Sequence, residues 1–426
     1  MAAQRRANAG NPGGGMSAIR HGLLSDYFDG AAVKSLSAVE TSPEISNQHE
    51  FNGSGALRRL FGDADRRNIP TRFVWLGEEQ EGITEDGLIS WYDARRNHPT
   101  RTEYRLYYPT NAVTGMMRAG DSFFVATRSD GSAMVIVTPV DSTIQNQLMW
   151  LFGLENQTGF QFVAREIAPD QSAEMDFAAR YILDEIGIEL EEPEADRLDI
   201  LIEPFGLIFP PTRVLSELAR TSLPKTLPRD APDEALIAWM EREEQLFRRL
   251  ERRVVDSRLR SGFMAGEGSD VDGFLSFSLS VQNRRKSRAG QALENHLEAL
   301  FQAHDVRFAR GAETENRNKP DFLFPGSVEY RNPAFPADRL TMLGAKSSLK
   351  DRWRQVLSEA VRIEQKHLLT LEPGVSTNQT DEMQAKRLQL VVPAGVQKSY
   401  TDLQQGWLMD VQSFVSLIRE RQRRSA

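Results

Sequence analysis

The sequence predicts a multidomain chain, with a β-rich amino-terminal half and an α/β carboxy-terminal half. Its 426 residues are more than one core usually serves. Between residues 31 and 175, short apolar runs are broken by Gly, Asp and Pro at close spacing, the pattern of a barrel or sandwich. From Pro232 onward the apolar period becomes helical, and helical stretches alternate with strand-like ones.

Along the chain, "MAAQRRANAGNPGGGMSAIR" is basic and glycine-rich without an apolar core. Residues 1–30 are therefore expected to be a disordered tail, with Met16 as an alternative start. "TRFVWLG", "EYRLYYP" and "DSFFVATRSDGSAMVIVTPV" supply strands in 31–175, and "RSDGS" reads as a hairpin turn. Residues 176–230 join an acid-rich stretch to "FPPTR" and "LPKTLPRD" and are expected to be a connecting arm without a core. In 231–426, Leu236, Met240, Phe247, Leu250 and Val254 share one helical face behind Pro232, and Leu293, Leu297 and Leu300 share another. "KPDFLFPG" and "RLTMLGAK" read as strands, "DRWRQVLSEAVRIEQ" as a third helix and "RLQLVVP" as a third strand.

Composition narrows the function classes. The chain has no cysteine, which removes disulfides and thiolate metal sites and suits a reducing cytoplasm. No apolar run approaches the ~20 residues of a membrane helix, so no membrane partner is expected. The net charge of −8 would disfavour nucleic acid, but residues 184–199 hold eight acids and one arginine. The rest of the chain is nearly neutral, with basic clusters at 94–105, 283–288 and 350–354. Local charge decides DNA binding, and Arg284, Arg285, Lys286 and Arg288 are candidate phosphate clamps.

One constellation carries chemistry. Asp321 opens one strand, Lys346 closes the next, and Glu359 follows twelve intervening residues later, expected on a helix. Two carboxylates can hold Mg²⁺ through oxygen ligands. A lysine beside them can orient or deprotonate a water while the metal meets the charge developing on a phosphate. Strand-end lysines and helical glutamates are also common solvated residues.

"PDFLFPG" followed by "AK" resembles the PD-(D/E)XK nuclease motif, with Gly344 in the slot of the second acid. A restriction-enzyme subgroup moves that acid onward as Lys-x12-Glu, the spacing of Lys346 and Glu359. "SVQNRRKSRAGQALENHLEALF", "NKPDFLFPG", "KSSLKDRWRQVLSEA" and "RLQLVVP" resemble the EcoRII family of type II restriction endonucleases across roughly residues 230–400. "SNQHEFNGSG", "LISWYDARR" and "TRTEYRLYYP" resemble its DNA-binding effector domain.

The resemblance implies an amino-terminal DNA-binding pseudobarrel and a carboxy-terminal restriction-endonuclease-like domain. It implies Asp321 and Glu359 as metal carboxylates, Lys346 as the catalytic lysine and Glu294 as an accessory acid. Tyr330 matches a tyrosine once proposed as catalytic in the family, but a metal-dependent nuclease does not need it as nucleophile. Lys350, Asp351 and Arg352 fall where related enzymes read C:G pairs, as their donor and acceptor groups allow. Arg101, Glu103 and Arg105 match a base-reading arm, with His49 on the opposite arm; Pro99 and Tyr104 stand where the family has lysines.

The implied activity is Mg²⁺-dependent, site-specific cleavage of double-stranded DNA at a CC/GG-containing site, CCWGG in the family. The implied assembly is a homodimer, restrained by its effector domain, with a cytosine-5 DNA methyltransferase as functional partner. The alternative is a catalytically inactive DNA-binding regulator on the same fold, against which the intact Asp321, Lys346 and Glu359 argue. An HNH nuclease would need clustered histidines, and the six here are scattered.

Overall fold

The computed structural model describes residues 22–41, 49–77, 82–155, 159–169, 175–188, 190, 195–223, 225–265 and 268–423, apart from the side chains of Ala265 and Asp351. Most of the expected amino-terminal tail lies outside these residues. Within its last part, Leu24–Asp26 forms a helical turn and Phe28 is fully buried.

The amino-terminal half is one eight-stranded sheet. Its strands are β1 (Gly30–Ser35), β2 (Glu50–Asn52), β3 (Arg66–Trp75), β4 (Ile83–Asp93), β5 (Tyr104–Tyr107), β6 (Ser122–Thr127), β7 (Ala133–Thr138) and β8 (Val163–Glu166). The order is β2-β5-β4-β3-β7-β6-β1-β8, and among its pairs only β3 and β7 run parallel. "RSDGS" makes the β6–β7 turn, with Gly131 at φ 82°, a left-handed position that favours glycine. Alternate residues serve opposite faces. Phe73, Phe123, Val125 and Val135 enter one core, while Val74, Phe124, Ala126 and Ile136 enter another beneath the helices. The sheet curls until its edges meet, since Phe51 on β2 touches Phe162 beside β8 with ring centroids 5.3 Å apart. Helices α1 (Ala38–Thr41), α2 (Gly55–Phe61) and α3 (Thr143–Leu151) complete this half.

The stretch read as a coreless arm contains α4 (Phe177–Glu185), α5 (Ala195–Ile202) and α6 (Thr212–Thr221). Leu198, Ile202, Leu215 and Ala219 pack against Leu246, Phe247 and Leu250 of α7 (Pro232–Ser261). Some of the acids are consumed locally: Asp199 pairs with Arg249 and Arg253, and Asp184 with Arg248. The charge run hides an apolar period: Asp184, Asp196 and Asp199 stand on helices whose Ile182, Leu183, Leu198 and Ile202 are buried.

After α7 come the short β9 (Met264–Ala265) and β10 (Gly268–Ser269), then α8 (Val271–Ala303). A five-stranded sheet follows: β11 (Ala309–Arg310), β12 (Phe322–Phe324), β13 (Thr341–Lys346), β14 (Lys366–Thr370) and β15 (Leu388–Val391), in that order. The first two pairings are antiparallel and the last two parallel. Between and after these strands come α9 (Ser327–Arg331), α10 (Trp353–Val356), α11 (Thr377–Ala385), α12 (Ala394–Gln397), α13 (Asp402–Gln405) and α14 (Val411–Arg423). Leu236, Leu293, Leu297 and Phe301, with Phe414 of α14 (Val411–Arg423), cover one face around Phe322 and Leu343. Trp353 and Val356 of α10 (Trp353–Val356) cover the other around Leu323, Met342 and Leu368.

Two expectations are corrected here. The fully buried β14 was missed, because its lysine and histidine interrupt the apolar run "KHLLT". The third helix is a single turn, so Glu359 sits in a bend beyond α10 and not on a helix. Tertiary partners take the backbone there: the Val361 amide donates to Glu315, Lys366 Nζ donates to the Ile363 carbonyl, and Ala360 adopts φ 47°.

Candidate active site

Asp321 lies one residue before β12, and its carbonyl accepts from Gly311 N at 3.0 Å. Because β12 pairs with β13, the Asp321 carboxylate faces the end of the neighbouring strand. Its Oδ2 accepts from Lys346 Nζ at 2.9 Å and from the Ala345 amide at 2.7 Å. Both side chains are partly exposed, so the pair, at the ends of two interior strands, reaches solvent. Gly344 cannot be the second acid in this fold, since a Cβ there would lie 2.9 Å from the Val356 side chain.

Glu359 completes the cluster. Burial, and next the Asp321 charge, push its carboxyl up to about 7, against the opposing pull of Lys346 and Lys366. Its Oε2 is buried and has no hydrogen-bond partner among the described residues. A buried unpaired carboxylate oxygen is costly, and a hard cation with its waters is a natural remedy. Among the described residues no group of three or more His, Cys, Asp or Glu could hold a metal ion. Two carboxylates nevertheless suit Mg²⁺, which keeps several waters and takes further oxygens from a phosphate.

The loops bearing the two acids are tied together by residues that sequence reasoning did not use. Glu315 accepts from the Tyr330 hydroxyl at 2.6 and 2.8 Å and from the Val361 amide at 3.2 Å. Asn318 Nδ2 donates to the Ser358 carbonyl at 2.8 Å. Lys366 Nζ donates to Ile363 O at 2.8 Å. Burial, then Glu315, push the Tyr330 hydroxyl up to about 12, so it stays a protonated donor. The one available signal was Lys366, a charge inside an apolar strand.

The other candidates are scattered. Glu294 receives Arg310 at 2.9 Å, and Arg310 also binds Glu298. Arg288 is buried against Glu243 and Glu244, contrary to a phosphate-clamping role in this conformation. Arg285 donates to Glu251 at 2.7 Å, and Arg284 lies over the Phe209 ring. Three-residue sequence spacing cannot tell an outer from an inner arginine on α8. Lys350 and Arg352 are exposed on a 3-10 turn, while the Asp351 side chain lies outside the described residues. Above that turn, the Tyr181 hydroxyl on α4 bonds Ser348, and Glu185 lies within electrostatic reach of Lys350 and Lys286.

In the amino-terminal half, β2 and β5 bring His49 and Arg105 to one sheet edge. Arg105 pairs with Glu103 and Glu50, and Arg105 first and Arg95 next hold the Glu103 carboxyl below its usual range. His49 Nε2 meets Thr110 Oγ1 at 3.0 Å, and the Arg101 amide donates to His98.

Residues 247–415 match the family model described as EcoRII C terminal. The chain is 40% identical over 404 residues to the type II restriction enzyme EcoRII of Escherichia coli, covering 94% of this chain and 92% of that protein. It is 34% identical over 110 residues to the type II restriction enzyme SsoII of Shigella sonnei, covering 23% of this chain and 35% of that one. Among solved structures, the restriction endonuclease PspGI–substrate DNA complex aligns with 51% of this chain and 94% of its own, at 15% identity and TM-score 0.41.

Proposed function

This chain belongs to the EcoRII family of type II restriction enzymes, and from that premise we propose that Asp321, Lys346 and Glu359 form its Mg²⁺-dependent cleavage site. The observation that carries the proposal is the single Asp321 oxygen bonded to both Lys346 Nζ and Ala345 N, near a Glu359 Oε2 that has no partner among the described residues. Asp321 and Glu359 would hold the ion, which supplies charge neutralisation for the phosphate under attack. Asp321 fixes the Lys346 amine, and that amine orients the attacking water and meets the charge growing on the phosphate. Water forms the new P–O bond as the bond to the 3′ oxygen breaks, leaving 5′-phosphate and 3′-hydroxyl ends.

The target proposed is double-stranded DNA with a CC/GG core, CCWGG in the first instance, cut by a homodimer whose two-fold axis matches the site. A cytosine-5 methyltransferase would protect the host's own copies. His49, Arg101, Glu103 and Arg105 would read a second copy in the amino-terminal half, and Glu294 would act only through Arg310. Digesting a plasmid of known sequence with Mg²⁺ and sequencing the ends tests this reading. Random ends, or cuts lacking a CC/GG core, would refute the specificity.

Two further outcomes are expected. Metal must displace the Glu359 proton, so below about pH 7 the Mg²⁺ needed for half-maximal cleavage should rise, by up to about tenfold per pH unit. Above pH 8 the requirement should flatten; a constant requirement from pH 6 to 8 would show that the carboxyl is already ionised. The raised carboxyl also stabilises the metal-free fold fully below about pH 4.5. That contribution is lost as pH rises through about 7, so metal-free thermal stability should fall over this window.

Arg352→Ala should lose roughly 1–3 kcal/mol of discrimination between cognate and mismatched duplexes. Competition binding at two salt concentrations checks it. Equal weakening on all sequences with a shallower salt slope would make Arg352 a phosphate contact.

A further inference from the structure

Two segments of the cleavage site hold costly backbone. Ala360, next to Glu359, adopts φ 47°, and Asn316 and Arg317, ahead of β12, adopt φ 56° and 63°. None is a glycine, and residues with a side chain occupy the left-handed region only where their surroundings fix them there. The turn of Asn316 and Arg317 is closed by the Thr314 amide, which donates to the Asn318 carbonyl at 2.8 Å. This turn presents two side chains, Glu315 and Asn318, to the segment that carries Glu359.

The contacts bracket Glu359 along the chain. Before it, the Ser358 carbonyl accepts from Asn318 Nδ2 at 2.8 Å. After it, the Val361 amide donates to Glu315 Oε2 at 3.2 Å, and the Arg362 amide donates to the Tyr330 hydroxyl at 3.4 Å. That hydroxyl in turn donates to Glu315, and Tyr330 is buried in the core with Trp353 and Val356. Glu315 therefore joins a fixed ring to a strained bend. Core packing attaches the bend at Ala360 and Ile363, but Val361 between them is 63% exposed. Glu315 itself lines a cleft of about 350 Å³. On that side hydrogen bonds, rather than packing, decide how the backbone turns, and the turn sets the direction in which the Glu359 side chain leaves it.

We infer that Glu315 is a positioning residue of the cleavage site: by bridging the Tyr330 hydroxyl and the Val361 amide it holds Ala360 left-handed and so aims Glu359. The inference rests on the reading of Glu359 as a metal carboxylate and deepens it.

Mn²⁺ suits the same oxygen ligands as Mg²⁺. Its binding to the full chain, followed by electron paramagnetic resonance, reads the site without any cleavage, and circular dichroism is the folding control. Glu315→Ala and Tyr330→Phe should each weaken Mn²⁺ binding by about 10–100-fold, the usual cost of losing a group that orients a metal ligand. In single-turnover cleavage their deficit should shrink as Mg²⁺ is raised. Glu315→Gln should retain most of the affinity, because the amide oxygen can accept from Val361 while the amide nitrogen donates to the Tyr330 oxygen. Ala360→Gly removes the steric cost of the left-handed bend and should recover part of the affinity that Glu315→Ala loses. Glu359→Ala is the reference. If it binds Mn²⁺ as tightly as the parent, the reading of Glu359 as a ligand falls, and the positioning role with it. If it loses Mn²⁺ while Glu315→Ala and Tyr330→Phe keep parental affinity, only the positioning role is overturned. Glu315→Gln as weak as Glu315→Ala would make charge, not bridging, the contribution of Glu315. A Glu315→Ala/Ala360→Gly double variant no tighter than Glu315→Ala would overturn the part assigned to Ala360.

Discussion

Asp321→Ala and Lys346→Ala are each expected to lower the cleavage rate on the order of 10³-fold or more, since each removes a charge aimed at the reacting phosphate. The geometry makes the two changes unequal. Without Asp321, the Lys346 amine loses its 2.9 Å partner, the Ala345 amide loses its acceptor, and Glu359 loses the neighbour that helps to keep its carboxyl neutral. Metal affinity should nevertheless fall along with the rate, because one of the two proposed metal carboxylates is gone. Without Lys346, both carboxylates remain and metal binding should survive. Single-turnover cleavage across a Mg²⁺ titration separates the cases. Specific binding in Ca²⁺, which fills an oxygen site, should persist for Lys346→Ala. Near-parental cleavage by either variant would remove the pair from the chemistry.

The second large effect is release of the nuclease half from the amino-terminal half. The two are joined by buried polar contacts. Gln147 on α3 donates to Pro373 O at 2.9 Å, and Thr143 Oγ1 accepts from Ser376 N at 3.1 Å. Between them runs α4, whose Ala179, Ile182 and Leu183 belong to the sheet's core while Phe177 packs on the nuclease. It also places Tyr181 and Glu185 over the Ser348–Lys350 turn proposed to read DNA. We propose that this contact restrains cleavage until the amino-terminal half binds a second site, which requires DNA to favour the open state.

Gln147→Glu removes a buried donor and sets a carboxylate against a carbonyl, so it should open the contact. Cleavage of a one-site plasmid should then accelerate by about five- to 150-fold, the usual range of coupling between sites. Two-site plasmid should gain less, because the parent already opens on it. A fragment starting near Ala195 should behave likewise. Starting at Ala231 would instead uncover Leu246, Phe247 and Leu250, which α5 and α6 now bury. If both changes leave one-site cleavage unaltered, the contact is structural and not inhibitory.

The sequence by itself determined the division into a β-rich and an α/β half, the RSDGS hairpin, the strands around "DFLF" and "TMLGAK", and the nearness of Asp321 to Lys346. These are local matters. Alternation, turn chemistry and strand spacing are set within ten or so residues, and adjacent antiparallel strands bring an acid at one strand's start to a lysine at the next one's end. Tertiary structure decided the rest. It ended α10 after one turn because Glu315 and Lys366 claim the backbone beyond it, which left Glu359 in a bend with an oxygen that has no partner among the described residues. It turned Arg288 inward while leaving Arg284 outside, a choice made by the helices packed around α8. It also converted a presumed acidic arm into packed helices. Such outcomes depend on which side of an element meets a distant partner, and charge and spacing along a single chain do not encode that until the partners are assembled.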